Sequence, residues 1–219
     1  MLVVHVSGSV ASGKSTLLRD FREVLQKQQQ ADFKITTKEL DDFAQLFQTR
    51  ADWQGEEAEE ERGKGYVRHM SQHIADYLEA EKKSGTNLVL LAGLTLWIGF
   101  PDRLHLANVS HLLPPDSRFQ GFFIDIPVEK LVEQTFEREV ARVIATDLPA
   151  LLAGSKELHF STRRIKHFAQ LERNEYVGKC GYALLSSAEI LSRLATFARV
   201  SSRAPIVEEE PSASSCVLL

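Results

Sequence analysis

Residues 8–16 constrain the fold more than any other stretch of this chain, because they match the pattern G-x-x-x-x-G-K-[ST] in full. The two glycines let the backbone curl so that successive N–H groups point into one anion-sized hollow, and the following helix adds the positive end of its dipole. Such a loop binds phosphate groups. The residues that form it are Gly8, Ser9, Val10, Ala11, Ser12, Gly13, Lys14, Ser15 and Thr16.

The sequence on either side of the loop has the periodicity that this motif requires. Leu2 to Val6 is a short apolar strand, and Lys14 to Gln29 places apolar residues at helical spacing. In this setting Lys14 would contact the β- and γ-phosphates of a nucleoside triphosphate, and the Ser15 hydroxyl would complete the coordination shell of Mg²⁺. We therefore expect ATP and Mg²⁺ as cofactors.

Apolar runs alternate with amphipathic segments along the rest of the chain. This alternation predicts an α/β fold with a parallel sheet and helices on both faces. Residues 45–65 are polar, acidic and glycine-containing, and we expect a mobile excursion there. Further strands are predicted at Phe33–Thr37, Asn87–Leu96, Phe119–Ile126 and Tyr182–Leu185, and further helices at Tyr66–Lys83, Val128–Ile144 and Ala188–Arg199.

The length and local composition predict one domain with a short tail. At 219 residues the chain can bury one sizeable core. We assign residues 1–200 to this domain, with a lid at about 138–175, which is the region of the scattered basic residues. Residues 201–219 are rich in Pro, Ser and Glu and are expected to be disordered.

Charge and cysteine content exclude several classes of function. A net charge of −4 gives no electrostatic footprint for nucleic-acid binding, so no nucleic-acid partner is expected. Two cysteines, Cys180 and Cys216, are too few for a disulfide scaffold and favour a reducing compartment, which we take to be the cytoplasm. No apolar run is long enough for a membrane span. His69 and His73 lack the spacing of a zinc protease motif.

Two adjacent carboxylates follow the second predicted strand. Asp41 and Asp42 should face the cleft, because ligands of open α/β sheets gather outside the carboxyl ends of the strands. A carboxylate there could accept the proton of an attacking hydroxyl or orient Mg²⁺ through water. Either task could fall to either residue, and Asp42 is our candidate for orienting the metal. The alternative is that either residue caps the helix that follows, since Asp is a favoured N-cap.

Arg138 and Arg142 lie one helical turn apart on the helix that opens the predicted lid. Side chains four residues apart share a helix face, so both could reach a transferring phosphoryl group and spread its charge. The alternative is a pair of solvated surface residues. Arg163 and Arg164 are later candidates for phosphate contact.

Several motifs in this order resemble P-loop kinases of the uridine kinase and nicotinamide riboside kinase type. They are the loop at 8–16, the triplet Asp41-Asp42-Phe43, the apolar strand ending Leu91-Ala92-Gly93, and Phe123 to Pro127 before an Arg-bearing helix. The similarity covers most of the first 145 residues. It implies a P-loop NTPase fold with strand order 2-3-1-4-5, Asp41 as the catalytic base and a basic lid over the phosphates.

One position departs from the pattern of these kinases. They usually carry Glu or Asp just before the glycine that ends the third strand, and this chain has Ala92 there. A carboxylate that orients the metal is therefore missing. Glu39, Asp102 or Asp125 could compensate, and no spacing argument selects among the three.

The chain ends in Cys216-Val217-Leu218-Leu219, which meets the C-a-a-X pattern for prenylation, with a final Leu that favours geranylgeranyl transfer. This predicts a possible membrane association through Cys216. The residues upstream, Glu208 to Glu210, are acidic where a basic second signal is usual, and one lipid chain without support anchors weakly.

The motifs together predict a kinase that transfers phosphate from ATP to a small metabolite, with nucleosides or nucleotides as the leading substrate class. A second hypothesis is a catalytically weak nucleotide-binding regulator that kept the P-loop and lost the carboxylate at Ala92. A lipidated small GTPase is disfavoured, because the chain has no Asn-Lys-x-Asp tetrad and no Asp-x-x-Gly after the third strand.

Overall fold

The computed structural model describes residues 1–9, 11–28, 33–47, 56–93, 109–146 and 162–200. Strands and helices alternate through this part of the chain. The strands are β1 (Leu2–Ser7), β2 (Ile35–Glu39), β3 (Leu88–Ala92), β4 (Arg118–Ile124) and β5 (Ala183–Leu185). The α-helices are α1 (Lys14–Gln28), α2 (Asp41–Ala44), α3 (Glu56–Lys83), α4 (Val128–Thr146), α5 (Thr162–Arg173) and α6 (Ser187–Val200), with a 3₁₀ turn at Val109–Leu112 and a π-helix at Asn174–Lys179.

The strands form one five-stranded parallel sheet in the order β2-β3-β1-β4-β5. This confirms the predicted fold class and strand order. β1 is central, and its Val4 pairs with Leu90 of β3 on one side and Gln120 of β4 on the other. In open α/β sheets ligands bind outside the carboxyl ends of such strands. The residues after β1 therefore lie where this fold forms its binding site.

Helices cover both faces of the sheet because alternate residues of its strands point to opposite sides. Val4 packs on one face with Leu18 of α1 and with residues of α6. Val3 packs on the other face with Ile74 of α3. β3 is buried throughout Leu88–Ala92, as expected for a strand covered on both sides.

The prediction of a mobile excursion at 45–65 was wrong over its second half. Helix α3 begins at Glu56, ten residues before the predicted start at Tyr66, and it includes the acidic run. Glu, Ala, Arg and Lys are favourable helix formers, so the polar composition of this stretch is compatible with a helix. Gly63 and Gly65 lower its intrinsic propensity, yet Gly63 is buried, so packing compensates there.

Parts of two other predictions lie outside the described residues. These are the tail at 201–219 with Cys216, and residues 147–161 of the predicted lid. The described residues of that lid belong to the end of α4, to α5 and to the start of the π-helix. In the part of the chain that the structure describes, none of the helices combines the length and apolar character that a bilayer crossing requires.

His5 is a fully buried polar residue in the centre of β1. Its Nδ1 lies 2.7 Å from the Tyr182 hydroxyl, and its Nε2 lies 3.1 Å from the carbonyl oxygen of Gly93. A carbonyl can only accept, so Nε2 carries the ring proton and Tyr182 donates to Nδ1. Burial lowers the pKa of His5 to about 4; the hydrogen bond to Gly93 opposes this shift, and the Lys14 ammonium adds to it. His5 is therefore uncharged, and its two hydrogen bonds connect β1 to Tyr182 and to Gly93.

Gly121 makes room for the partner of this histidine. A Cβ at position 121 would lie 2.6 Å from the Cδ1 ring carbon of Tyr182. Tyr182 is 3% exposed and its hydroxyl is hydrogen-bonded to His5, which holds the ring beside Gly121. The absence of a side chain on β4 is thus a packing requirement of the sheet.

We expect Gly121→Ala to lower the free energy of unfolding by about 1–3 kcal/mol, the usual range for overpacking a core. Urea unfolding measures this difference. Gly178→Ala is the matched control, because Gly178 is exposed and a Cβ there would have no neighbour within 4 Å. Equal stability of the two variants would show that the Tyr182 ring adapts without cost.

His5 also predicts a dependence of stability on pH. The folded state holds its pKa at about 4, against 6.5 for a free histidine, so the unfolded state binds more protons between these values. Lowering the pH from 7 to 4 should therefore remove about 3 kcal/mol of stability through this residue. The measurement compares wild type with His5→Gln at both pH values, since other titrating groups cancel in the difference. A difference that does not change with pH would contradict a neutral, buried His5.

Candidate functional site

The loop after β1 has the tight curl that its sequence predicts. Ala11 and Gly13 adopt φ values of 65° and 86°, in the left-handed region that favours glycine, and the Ser12 N–H donates to the Ser9 carbonyl at 3.0 Å. A Cβ at Gly8 would lie 2.5 Å from Ser12 Oγ. Glycine is therefore required at Gly8 by space and favoured at Gly13 by backbone conformation. Val10 lies outside the described residues.

Lys14 is held against the loop by its own ammonium group. Nζ donates to the carbonyl oxygens of Gly8 at 2.7 Å and Ser9 at 2.9 Å. An ammonium has three N–H donors, so one remains for a ligand in the hollow. The side chain is thus positioned before any phosphate arrives.

The electrostatic environment of Lys14 combines burial with several charges. Burial lowers its pKa to about 8; Glu172, Asp41 and Glu39 oppose this shift, and Arg138 adds to it. The ammonium therefore stands among three carboxylates and one guanidinium contributed by different elements. These groups delimit the site.

Glu39 is the carboxylate that approaches the predicted metal position. It is the last residue of β2, and its Oε2 accepts a hydrogen bond from the Ser15 hydroxyl at 3.1 Å. In the β2–β3 register Glu39 is the direct partner of Ala92. Position 92 has no carboxylate, but one is therefore present at Glu39 on the neighbouring strand. Of the other candidates, Asp125 lies 3.7 Å from Arg173 in an exposed pair, and Asp102 falls outside the described residues.

Asp41 and Arg138 lie on the same hollow as the phosphate loop. The hollow has a volume of about 420 Å³, and its wall is completed by loop residues. Asp41 begins α2 and Arg138 is an exposed residue of α4, so two distant segments meet across the loop. The lining residues are Ala11, Ser12, Gly13, Lys14, Ser15, Thr16, Asp41 and Arg138.

The helix-cap alternative for Asp41 and Asp42 is contradicted by the geometry of α2. Leu40 is the N-cap residue, and no side-chain hydrogen bond caps the helix. Asp42 instead forms an ion pair with Lys38 at 2.7 Å, and it does not line the hollow. Asp41 therefore faces the loop, and its side chain makes no helix-capping hydrogen bond.

The remaining predicted arginines are placed only in part. Arg142 belongs to α4, but its side chain lies outside the described residues. Arg163 is exposed on α5, and the Arg164 side chain is also outside the described residues. Of the two predicted arginines whose side chains the structure describes, Arg138 lines the hollow and Arg163 does not.

Two residues near the hollow carried no signal in the sequence. Tyr66 of α3 is half-buried; burial raises its pKa to about 12, and the nearby Asp41 carboxylate contributes to the shift. Glu172 of α5 is 2% exposed, and burial raises its pKa while a hydrogen bond from the Ser9 hydroxyl and the Lys14 ammonium oppose this. Both residues reach the site through helix packing, which local motifs do not reveal.

The chain has the α/β P-loop fold, and comparison with known proteins finds similarity at the level of structure. No family model matches the chain, and no curated protein matches it in sequence. A gluconokinase from Sinorhizobium meliloti is 13% identical, with 91% of this chain and 90% of that chain covered and a TM-score of 0.43. A shikimate kinase from Aquifex aeolicus is 16% identical, with coverage of 91% and 94% and a TM-score of 0.45. At these values the likeness concerns the arrangement of strands and helices, and it gives no residue a role.

Proposed function

We propose that the protein is an ATP- and Mg²⁺-dependent kinase that transfers the terminal phosphoryl group to a small metabolite. The observation that carries this proposal is the convergence of the phosphate loop, Asp41 and Arg138 on one hollow. A phosphate cradle alone suits any nucleotide-binding protein. A carboxylate and a guanidinium facing the cradle add the two groups that transfer to a hydroxyl requires.

The phosphates would be held by groups that are already in place. The loop between β1 and α1 lines the hollow together with the start of α1, and Lys14 keeps one N–H donor free for an anion there. Arg138 lies across the hollow, where its guanidinium can share the charge on the transferring phosphoryl oxygens. The interactions of Arg138 should strengthen in the transition state, where that charge is most widely spread.

Ser15 in the wall of the hollow and Glu39, which accepts its hydrogen bond, fit a magnesium ion. Ser15 offers a hydroxyl ligand, and Glu39 beside it offers a carboxylate that can hold a metal-bound water. When bound, Mg²⁺ neutralises phosphate charge and orients the phosphate chain for transfer. This assigns the water-mediated role to Glu39 in preference to Asp42, whose carboxylate pairs with Lys38.

Asp41 is the proposed general base. The acceptor hydroxyl oxygen forms a bond to the γ-phosphorus while the bond from that phosphorus to the β–γ bridging oxygen breaks, and ADP leaves. The hydroxyl proton passes to the Asp41 carboxylate. The position of Asp41 on the rim of the hollow, without a capping bond, supports this role.

For the acceptor we propose a nucleoside or nucleotide, as in kinases of the uridine kinase and nicotinamide riboside kinase type. The support is the triplet Asp41-Asp42-Phe43 after β2 and its place beside the hollow. A thermal-shift screen of nucleosides, nucleotides and vitamin-like metabolites, with an ATP analogue present, identifies the class. Stabilisation by an unrelated metabolite alone would contradict this choice of substrate without affecting the kinase proposal.

A catalytically weak regulator is the second candidate, and Ala92 is the observation that favours it. The contact between Glu39 and Ser15 favours the enzyme, because it supplies a carboxylate at the same edge of the sheet. Steady ATP turnover with an acceptor would exclude the regulator. Binding of ATP without turnover on any acceptor of the screen would favour it.

Lys14→Ala should weaken ATP binding about 100-fold, because one charged hydrogen bond contributes about 1.5–3 kcal/mol and Lys14 has one N–H donor left for a phosphate. The fold should survive, since the side chain points into the hollow. Calorimetric titration with an ATP analogue measures the affinity. Lys34→Ala is the control, because Lys34 is an exposed lysine that hydrogen-bonds Ser84 away from the hollow. Unchanged affinity in a folded Lys14→Ala protein would disprove the phosphate-loop assignment.

Asp41→Asn tests the base. The substitution keeps the size of the side chain and removes its negative charge, so kcat should fall by at least roughly 100-fold while ATP binding stays within about twofold. Turnover and melting temperature are measured together on a confirmed substrate.

Asp42→Asn is the matched control for Asp41→Asn, since its ion pair lies beside the hollow and not in it. It should keep near wild-type kcat. Turnover of Asp41→Asn within a few-fold of wild type would remove Asp41 from the chemistry. Loss confined to Asp42→Asn would move the base by one residue.

A further inference from the structure

Glu172 is a buried acid that the proposed phosphoryl transfer does not use. It lies on α5, its side chain is 2% exposed, and the Ser9 hydroxyl donates a hydrogen bond to it. Its Oε2 has no hydrogen-bond partner within the described residues. A carboxylate with a bare buried oxygen is costly, whereas a neutral carboxyl group tolerates such a site far better.

The surroundings of Glu172 are mostly apolar. A cavity of about 40 Å³ adjoins it, and Ser9 and Thr135 are the other polar residues in its wall. The Thr135 hydroxyl is hydrogen-bonded to the Leu131 carbonyl of α4. The Lys14 ammonium, from α1, is the one charged group within the described residues that opposes the effect of burial on Glu172. The remaining residues of the cavity wall are Leu131, Ile165, Phe168 and Ala169.

A bound nucleotide would change the balance between the ionised and the neutral form of Glu172. Its phosphates bring several negative charges to Lys14 and so screen the cation that favours the ionised form of Glu172. Like charges about 8 Å apart at an effective dielectric constant of about 20 shift an equilibrium by roughly tenfold or more. Each bound phosphate therefore disfavours the carboxylate and favours the neutral acid.

We propose that Glu172 takes up a proton when a nucleoside triphosphate enters the loop, so that this side chain sets nucleotide affinity and links it to pH. The inference rests on the proposed function, since it needs ATP in the hollow. The bound state holds more protons, so affinity rises as pH falls. The window runs from the pKa of Glu172 in the free protein, which burial raises above its ordinary value, to a still higher pKa in the complex.

The substitution Glu172→Gln distinguishes this role from a structural one, because the two roles predict opposite changes in affinity for an ATP analogue. The amide keeps the shape and an oxygen that accepts from Ser9, but it has no charge. As a mimic of the protonated acid, it should bind an ATP analogue about tenfold more tightly than wild type at the high-pH end of a pH series, where wild-type Glu172 is ionised. If Glu172 merely anchored Ser9, the variant would bind equally or more weakly.

Calorimetric titration of the full chain with Mg²⁺ and a non-hydrolysable ATP analogue measures both affinity and proton uptake. Two buffers with different heats of ionisation report the number of protons bound per nucleotide at each pH of a series, and uptake is compared at the pH where it is largest. Wild type should take up as much as one proton more than Glu172→Gln. Glu175→Gln is the matched control, because Glu175 is a buried glutamate three residues further on that pairs with Lys179 at 2.5 Å and does not act on Lys14.

A second measurement needs no variant. Infrared difference spectroscopy of the wild-type protein should show a protonated carboxyl band that appears when the analogue binds. The inference is overturned if this band is absent, if Glu172→Gln takes up as many protons as wild type, or if it binds the analogue less tightly. Failure of the wild-type protein to bind the analogue would instead refute the proposed function.

Discussion

One steric requirement underlies the whole site: the loop after β1 must turn tightly at Gly8 and Gly13 around one point, the hollow that Lys14 lines. Gly8 has no room for a side chain, and Gly13 lies in a conformation that glycine favours. The sheet then determines what surrounds this point. Because the five strands of the sheet are parallel, their carboxyl ends lie at the same edge, and this includes the end of β2. Glu39 and Asp41 reach the loop from that edge.

Much of the fold could be predicted from local patterns. The loop pattern located β1 and α1, the apolar run after Asn87 located β3, and the resemblance implied the strand order, which the sheet confirms. The start of α3 could not be predicted in this way. Its first residues are polar and its two glycines are typical of loops, yet Gly63 is buried in the folded chain. Tertiary packing determines the structure of this segment, and a short stretch of sequence does not reveal that packing.

The residues of the site also divide into those that the sequence predicts and those that it does not. Asp41 and Arg138 were predicted because each sits at a recognisable place, after a strand or early in the lid. Glu39 could not be selected over Asp102 and Asp125, because the choice depends on which side chain lies next to Ser15 in space. Tyr66 and Glu172 had no signal, since both approach the loop from helices whose positions are set by long-range packing.

The pairing of Glu39 with Ala92 has a broader consequence for how such sites are recognised. Two residues opposite each other in a parallel ladder differ in sequence by more than fifty positions, yet their side chains can serve the same point in space. A chemical group can therefore be exchanged between neighbouring strands without moving the site. A search that demands the acid on one strand would class such a chain as defective, whereas a search by position in the sheet would find a carboxylate beside Ser15.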